Sequence, residues 1–323
     1  MPHPPSPAEI TRRHALALGG AVAAAGLVSG ASPLTEEAAA RAHRFAPRRQ
    51  KGKLPVKAIQ SILQAEGSVK NGVLSIGVER KDIGKVHGPV NVTFTPSFEV
   101  DGTLTFQPLG DNLAFFNGDI PLRPDEVNRF IDAVIANGLT FQALHQHFIE
   151  MRPNVWFIHF RGVGAPLALA RAVHSALKAT RTPLPQKPPK NPKTPLDSKR
   201  LGSILHGDTQ VGDDGVVTVN VSRRGPIVID GVVVSPEANI STNVEFKPVS
   251  ATRASAAPDF SMTGGEVQRV MALMRRLGWF VGCLYNQETS ESPQLYFSHM
   301  VKTGNPYTLA AEIRRGLDLT DAA

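Results

Sequence analysis

The chain has 323 residues, 41% of them hydrophobic and 20% charged, with a formal net charge of +7; that length suits about two domains, and that apolar fraction excludes wholesale disorder. Its one cysteine, Cys283, excludes an intramolecular disulfide, a multi-cysteine zinc site and an iron–sulfur cluster. Glycine and proline are plentiful, 28 and 26 residues, but follow no collagen period.

Residues 11–33 read TRRHALALGGAVAAAGLVSGASP. Arg12 and Arg13 precede an Ala- and Gly-rich apolar run with no Asp, Glu, Lys or Arg before Glu36, and small residues frame a cut after Ala31. This is the layout of a twin-arginine signal peptide over residues 1–31, so the expected location is periplasmic, cell-envelope or extracellular. An uncleaved membrane anchor is the alternative, but a run this weakly hydrophobic makes a poor permanent span. No cysteine lies near the cut for lipid attachment. Residues 32–53, ending RFAPRRQKGK, read as a basic tether that is solvated or rests on an anionic envelope surface.

The chain then repeats itself. At an offset of 140, residues 96–177 align without a gap on 236–317 with 18 identities in 82 positions. Asp119/Asp259, Glu126/Glu266, Pro153/Pro293, Phe157/Phe297 and His159/His299 are among them. The expected organisation is one repeat at 54–180, a second at 199–320, and between them a proline-rich linker, 181–198, extended as a polyproline-like spacer.

Within each repeat a short helix (57–65; 199–206) precedes strands rich in branched residues, including 73–78, 90–94 and 103–106 in the first repeat and 216–221 in the second. Pro124 at the first helical position predicts a helix to Ala136, stopped by Asn137-Gly138, with Val127, Phe130, Ile131, Val134 and Ile135 at core spacing. Strands 141–148 and 154–161 follow, then a helix over 165–178. The predicted fold class is α+β: two tandem copies of one α+β unit, each a mainly antiparallel sheet backed by helices.

The chemistry concentrates in ALHQHFIEMRPNVWFIHFRG, residues 143–162. His145 and His147 sit two apart on a predicted strand and so share a face. A hairpin centred near Met151 sets His145 opposite Phe157 and brings His159 onto the same face. Three convergent imidazoles suit a divalent metal, zinc first, with Glu150 or Asp119 as the acid or base. The alternative is that these are hydrogen-bonded sheet histidines without a ligand. The second repeat carries Tyr285, Gln287 and His299 at the matching positions, two poor ligands and one good one. No P-loop, GxGxxG, GxSxG or HExxH motif is present, and the basic surplus lacks the aromatic interleaving of a nucleic-acid module.

The run LHQHF…E…P…FIHF…G…P…LA…L and the upstream GDIPLRPDEV together resemble the LppY/LpqO family of exported bacterial proteins, a domain of unknown function. Gln146, Arg161 and the incomplete second histidine pair depart from that pattern. The resemblance implies the repeated architecture and points to His145, His147 and His159, but it implies no reaction. Two functions follow from the residues: a metal-dependent hydrolase or lyase acting on a small or envelope-polymer substrate, or a non-catalytic envelope protein that binds a ligand or metal.

Overall fold

The computed structural model describes residues 46–190 and 192–323; the twin-arginine segment and the tether up to residue 45 lie outside the described residues. The first repeat runs α1 (Val56–Leu63), β1 (Ser68–Lys70), β2 (Val73–Glu79), β3 (Val86–His87), β4 (Thr93–Phe94), β5 (Asp101–Gly110), β6 (Leu113–Leu122), α2 (Val127–Ala136), β7 (Thr140–His145), β8 (Trp156–Gly164) and α3 (Pro166–Leu177). The second runs α4 (Ser198–Leu205), β9 (Asp208–Val211), β10 (Val217–Val221), β11 (Ile227–Ile229), β12 (Val232–Val234), β13 (Thr242–Ser250), β14 (Arg253–Thr263), α5 (Gly264–Arg276), β15 (Phe280–Val281), β16 (Glu291–Ser292), β17 (Leu295–Gly304) and α6 (Pro306–Leu317).

Each repeat builds a six-stranded antiparallel sheet of the same topology, β1-β2-β5-β6-β8-β7 and β9-β10-β13-β14-β17-β15. The fold class is therefore α+β in two tandem copies. β2 alternates in burial as a half-covered strand should, with Leu74, Ile76 and Val78 inward. The central strands do not: β5 and β6 are buried at almost every position. The reason is that both faces are covered. On one face Leu104, Phe106, Phe116, Ile120, Ile158 and Phe160 pack under the repeat's own helices. On the other, Phe115 packs with Ile227, Ile229 and Phe297, and Phe157 with Val216, Ala257 and Val301. The molecule is thus helices, sheet, sheet, helices, and the odd-numbered residues of β6 and β8 point into the junction between the repeats.

The Glu126/Glu266 identity is structural. Arg80, fully buried, donates to both Glu126 oxygens at 3.0 and 2.9 Å, and Glu126 also accepts the backbone N–H of Arg123 and Arg181. Arg223 and Glu266 repeat the pair in the second copy. Each carboxylate ties a helix start to the end of its repeat.

Several local expectations change. α2 begins at Val127, not Pro124, because Glu126 holds the preceding turn. Ile135 is 62% exposed instead of buried. Only Thr93–Phe94 of the 90–94 segment is strand, since Val90 and Asn91 adopt positive φ. The linker is no free spacer: Gln186 exchanges backbone hydrogen bonds with Gln64 and Glu66, and its side chain bonds the backbone of Glu79. Residues 46–53 do not hang free either: Arg48 pairs with β12 of the second repeat and Lys51 N–H bonds Pro108 O of the first.

Candidate metal centre at the junction of the repeats

The β7–β8 hairpin has the expected register, His145 opposite Phe157 and Ala143 opposite His159. β7 ends at His145, so His147 lies in the following loop, yet both histidines are buried. Asp119 on β6 sits opposite His159, and Asp259 on β14 sits opposite His299, the same pair in each repeat. Because the two sheets face one another, these pairs meet in one place. The site is shared by both repeats instead of belonging to the first alone.

The imidazoles that gather most closely are His145, His147 and His299, one ring nitrogen from each lying within 4.8 Å of the others. His299 therefore takes the place that spacing assigned to His159. The His159 ring stands 5.1 Å from that of His145, with Nε2 3.8 Å from Asp119 Oδ1. The equivalence of His159 and His299 was readable; their meeting was not. Tyr285 stacks on His145 at 3.6 Å, and His147 lies between Phe157 and His299 at 3.3 and 3.6 Å. Glu150 is exposed in the loop after β7 and does not line the cavity, so a role for it at this site is discarded.

Glu99 is the residue that motif reading missed. Its Oε2 bonds His147 Nδ1 at 2.9 Å and lies 3.1 Å from His299 Nδ1 without hydrogen-bond geometry, so one carboxylate orients His147 and stands as a charge partner beside His299 of the other repeat. Its backbone sits at φ 65, uncommon for glutamate; its repeat mate Asn239 has φ 64. A glutamate standing where the duplicated position carries an Asn suited to that turn was the available signal.

A cavity of about 60 Å³ lies here, lined by His147, His159, His299, Asp119, Asp259 and Glu99 among others. His145 stands behind this lining, against Tyr285. Burial dominates the electrostatics. It drives His145 and His147 well below the usual imidazole range, aided by the neighbouring histidines, and His159 to about 3. Burial also lowers His299, but Asp259 and Glu99 outweigh it and raise that ring to about 9. The same burial lifts Asp259 to about 6 and Asp119 well above the carboxylate range, although the positive His299 opposes both. His145, His147 and His159 are thus neutral and able to act as ligands, while His299 must release a proton to join them.

Both ring nitrogens of His145 and of His159, and one oxygen each of Asp119 and Asp259, have no hydrogen-bond partner among the described residues although buried. Buried polar groups are ordinarily satisfied. Nitrogens around one zinc stand roughly 3–4 Å apart, so movements of about 1 Å would close the His145, His147, His299 set. The donor set fits zinc or a similar borderline ion.

Nearby, Arg161 crosses the junction. It is 3% exposed and donates to Asp230 at 2.6 Å, to Glu288 at 3.1 Å and to Gln142. The second repeat has Val301 at that position. Among the described residues no helix is long and apolar enough to cross a membrane.

No curated protein matches this chain. Two solved structures are weakly similar: a trimeric bacterial microcompartment shell protein, PduB (10% identity over 80% of this chain and 95% of that one, TM-score 0.20), and EtuB from Clostridium kluyveri (11%, 79% and 91%, 0.20). At that TM-score neither likeness bears on architecture or function. The expected LppY/LpqO membership is overturned, because the family whose model matches is a different one. A single family model matches both repeats, over residues 57–179 and 199–319, and the chain belongs to that family, described as Domain of Unknown Function (DUF1259).

Proposed function

We propose that the protein binds one divalent ion, zinc first, through His145, His147 and His299, and uses it as a metal-dependent hydrolase or lyase. The observation that carries this reading is the approach of three buried imidazoles from two repeats beside buried polar atoms that no group among the described residues satisfies. When bound, such an ion supplies Lewis acidity. The chain's own residues supply the rest. Glu99 fixes the orientation of His147 and places a carboxylate beside His299. Asp259, with its pKa near 6, exchanges a proton close to neutral pH, and Asp119 stands in the equivalent place across the cavity. Phe157, Phe297 and Tyr285 wall the site from bulk water. Export is part of the same proposal, resting on Arg12-Arg13 and the uncharged run to Ala31; replacing both arginines by lysine should retain the precursor in the cytoplasm.

The test is elemental analysis and zinc calorimetry on purified protein stripped with chelator and reloaded. About one ion per chain is expected. The His145→Ala, His147→Ala double variant and His299→Ala should each lose it. Full retention by either refutes the shared centre, and His299→Ala separates this centre from one built within the first repeat.

A further inference from the structure

The cavity at the imidazoles opens into a much larger groove, of about 370 Å³. The two share Asp101, Thr103, Asn239, Ser241, Asn243 and Glu245 in their walls. The groove runs between the β1–β2 edge of the first repeat and the β9–β10 edge of the second, and residues 186–189 of the proline-rich connection form part of its wall. Its volume lies within the roughly 300–1,000 Å³ typical of ligand sites.

Its chemistry is selective. Among the described residues the walls hold seven serines and threonines and five asparagines and glutamines, but no aromatic residue, so a flat hydrophobic ligand finds no stacking partner there and a polyol finds many. Seven carboxylate residues face two lysines. Both lysines are engaged, Lys70 with Asp208 and Lys187 with Glu66. At the deep end Asp101 and Glu245 have no cationic partner among the described residues, and Glu245 Oε2 accepts only the Glu99 backbone N–H at 3.0 Å. Beyond them lies His159, 2% exposed, lining the cavity with neither ring nitrogen hydrogen-bonded among the described residues. A ligand amine would satisfy the carboxyl groups, whereas an anionic ligand would find no free cation to pair with among the described residues of the walls.

We propose that this groove binds a short oligosaccharide of amine-bearing sugars, its hydroxyls on the Ser, Thr, Asn and Gln walls and an ammonium group against Asp101 and Glu245. Placement of one end beside the imidazoles rests on the metal centre proposed above; binding in the groove does not.

The experiment is calorimetric titration of full-length protein with a glucosamine tetramer, its fully N-acetylated counterpart, a galacturonate tetramer and spermine. The glucosamine tetramer should bind at least about ten-fold more tightly than the acetylated form, and the galacturonate should not bind. Thr218→Trp, which fills the groove, and Thr218→Lys, which opposes its charge, should each weaken binding about ten-fold or more while zinc stoichiometry stays unchanged. Asp101→Asn should erase the preference for the free amine. The His145→Ala, His147→Ala variant should still bind the tetramer, so a loss of zinc with retained sugar binding separates the two proposals. Binding of galacturonate as tight as glucosamine, binding of spermine but of no sugar, or no binding of any probe at millimolar concentration overturns the groove proposal, whatever zinc does.

Discussion

Gly282 lies just past β15 in the second repeat, against the loop that carries His147 in the first. A Cβ placed on it would stand 2.1 Å from the carbonyl oxygen of His147 and 2.5 Å from Cδ1 of Phe148, against 3.4 Å or more for ordinary contact. The glycine also donates its backbone N–H to His299 O at 2.8 Å, so it cannot retreat without disturbing a second candidate ligand. Gly282→Ala therefore forces the His147 loop or the end of β15 to move by about 1 Å. Overpacking of that kind costs about 1–3 kcal/mol. Displacing groups that hold metal ligands in place typically costs about 10–100-fold in affinity. Urea unfolding of the metal-free chain and zinc calorimetry read the two effects separately. The control is Gly265→Ala in α5, where nothing among the described residues lies within 4 Å of the new methyl group and the helix gains propensity. If Gly282→Ala matches the control in both stability and zinc affinity, the close packing of the two repeats at His147 is wrong.

Arg161→Met should cost about 3–5 kcal/mol in urea unfolding, because Glu288 is left buried without its cation; adding Glu288→Gln should recover part of the loss, and strict additivity of the two changes would contradict the pairing. Stability of the metal-free chain should carry two opposing pH dependences, one from buried carboxyl groups and one from buried imidazoles. Burial raises Asp101 to about 7 and Glu291 to about 8, so the stability they contribute is complete below the ordinary carboxylate pKa and is lost as pH rises through 7–8. The depressed His145, His147 and His159 act in the opposite sense: their contribution is complete above pH 6.5 and is lost as pH falls below that, for His159 down through about 3. Urea midpoints from pH 4 to 9 measure both dependences, and Glu291→Gln should reduce the loss on raising pH while leaving the histidine dependence unchanged.

How much was legible varies by residue. The repeat, the α+β class and the face shared by His145, Phe157 and His159 follow from periodicity, since a strand alternates its faces and an ungapped offset carries a fold with it. Helix starts were less legible. Pro124 looked like a first helical residue, but the buried Arg80–Glu126 pair holds the turn before Val127, and that pair joins residues 46 positions apart. Ile135 matched the spacing of its neighbours and still faces solvent, because period alone does not set how wide a helix stripe the sheet will cover. Glu150 was close to the histidines in sequence, whereas Glu99, 48 residues from His147, was the carboxylate that reached them.

By itself the amino-acid sequence determined what each repeat is: its strands, its helices, its hairpin register and the inward phase of its histidines, all of which depend on interactions between near neighbours or on internal duplication. Only the tertiary structure decided that the two inner faces meet. That packing buries nearly every residue of β5 and β6, turns two equivalent His–Asp pairs into one cluster, and brings His299 and Glu99 to His145 and His147. The physical reason is that the complement of each sheet face is the other copy's face, more than a hundred residues away in the chain, and no local pattern records which of the available apolar surfaces will be its partner.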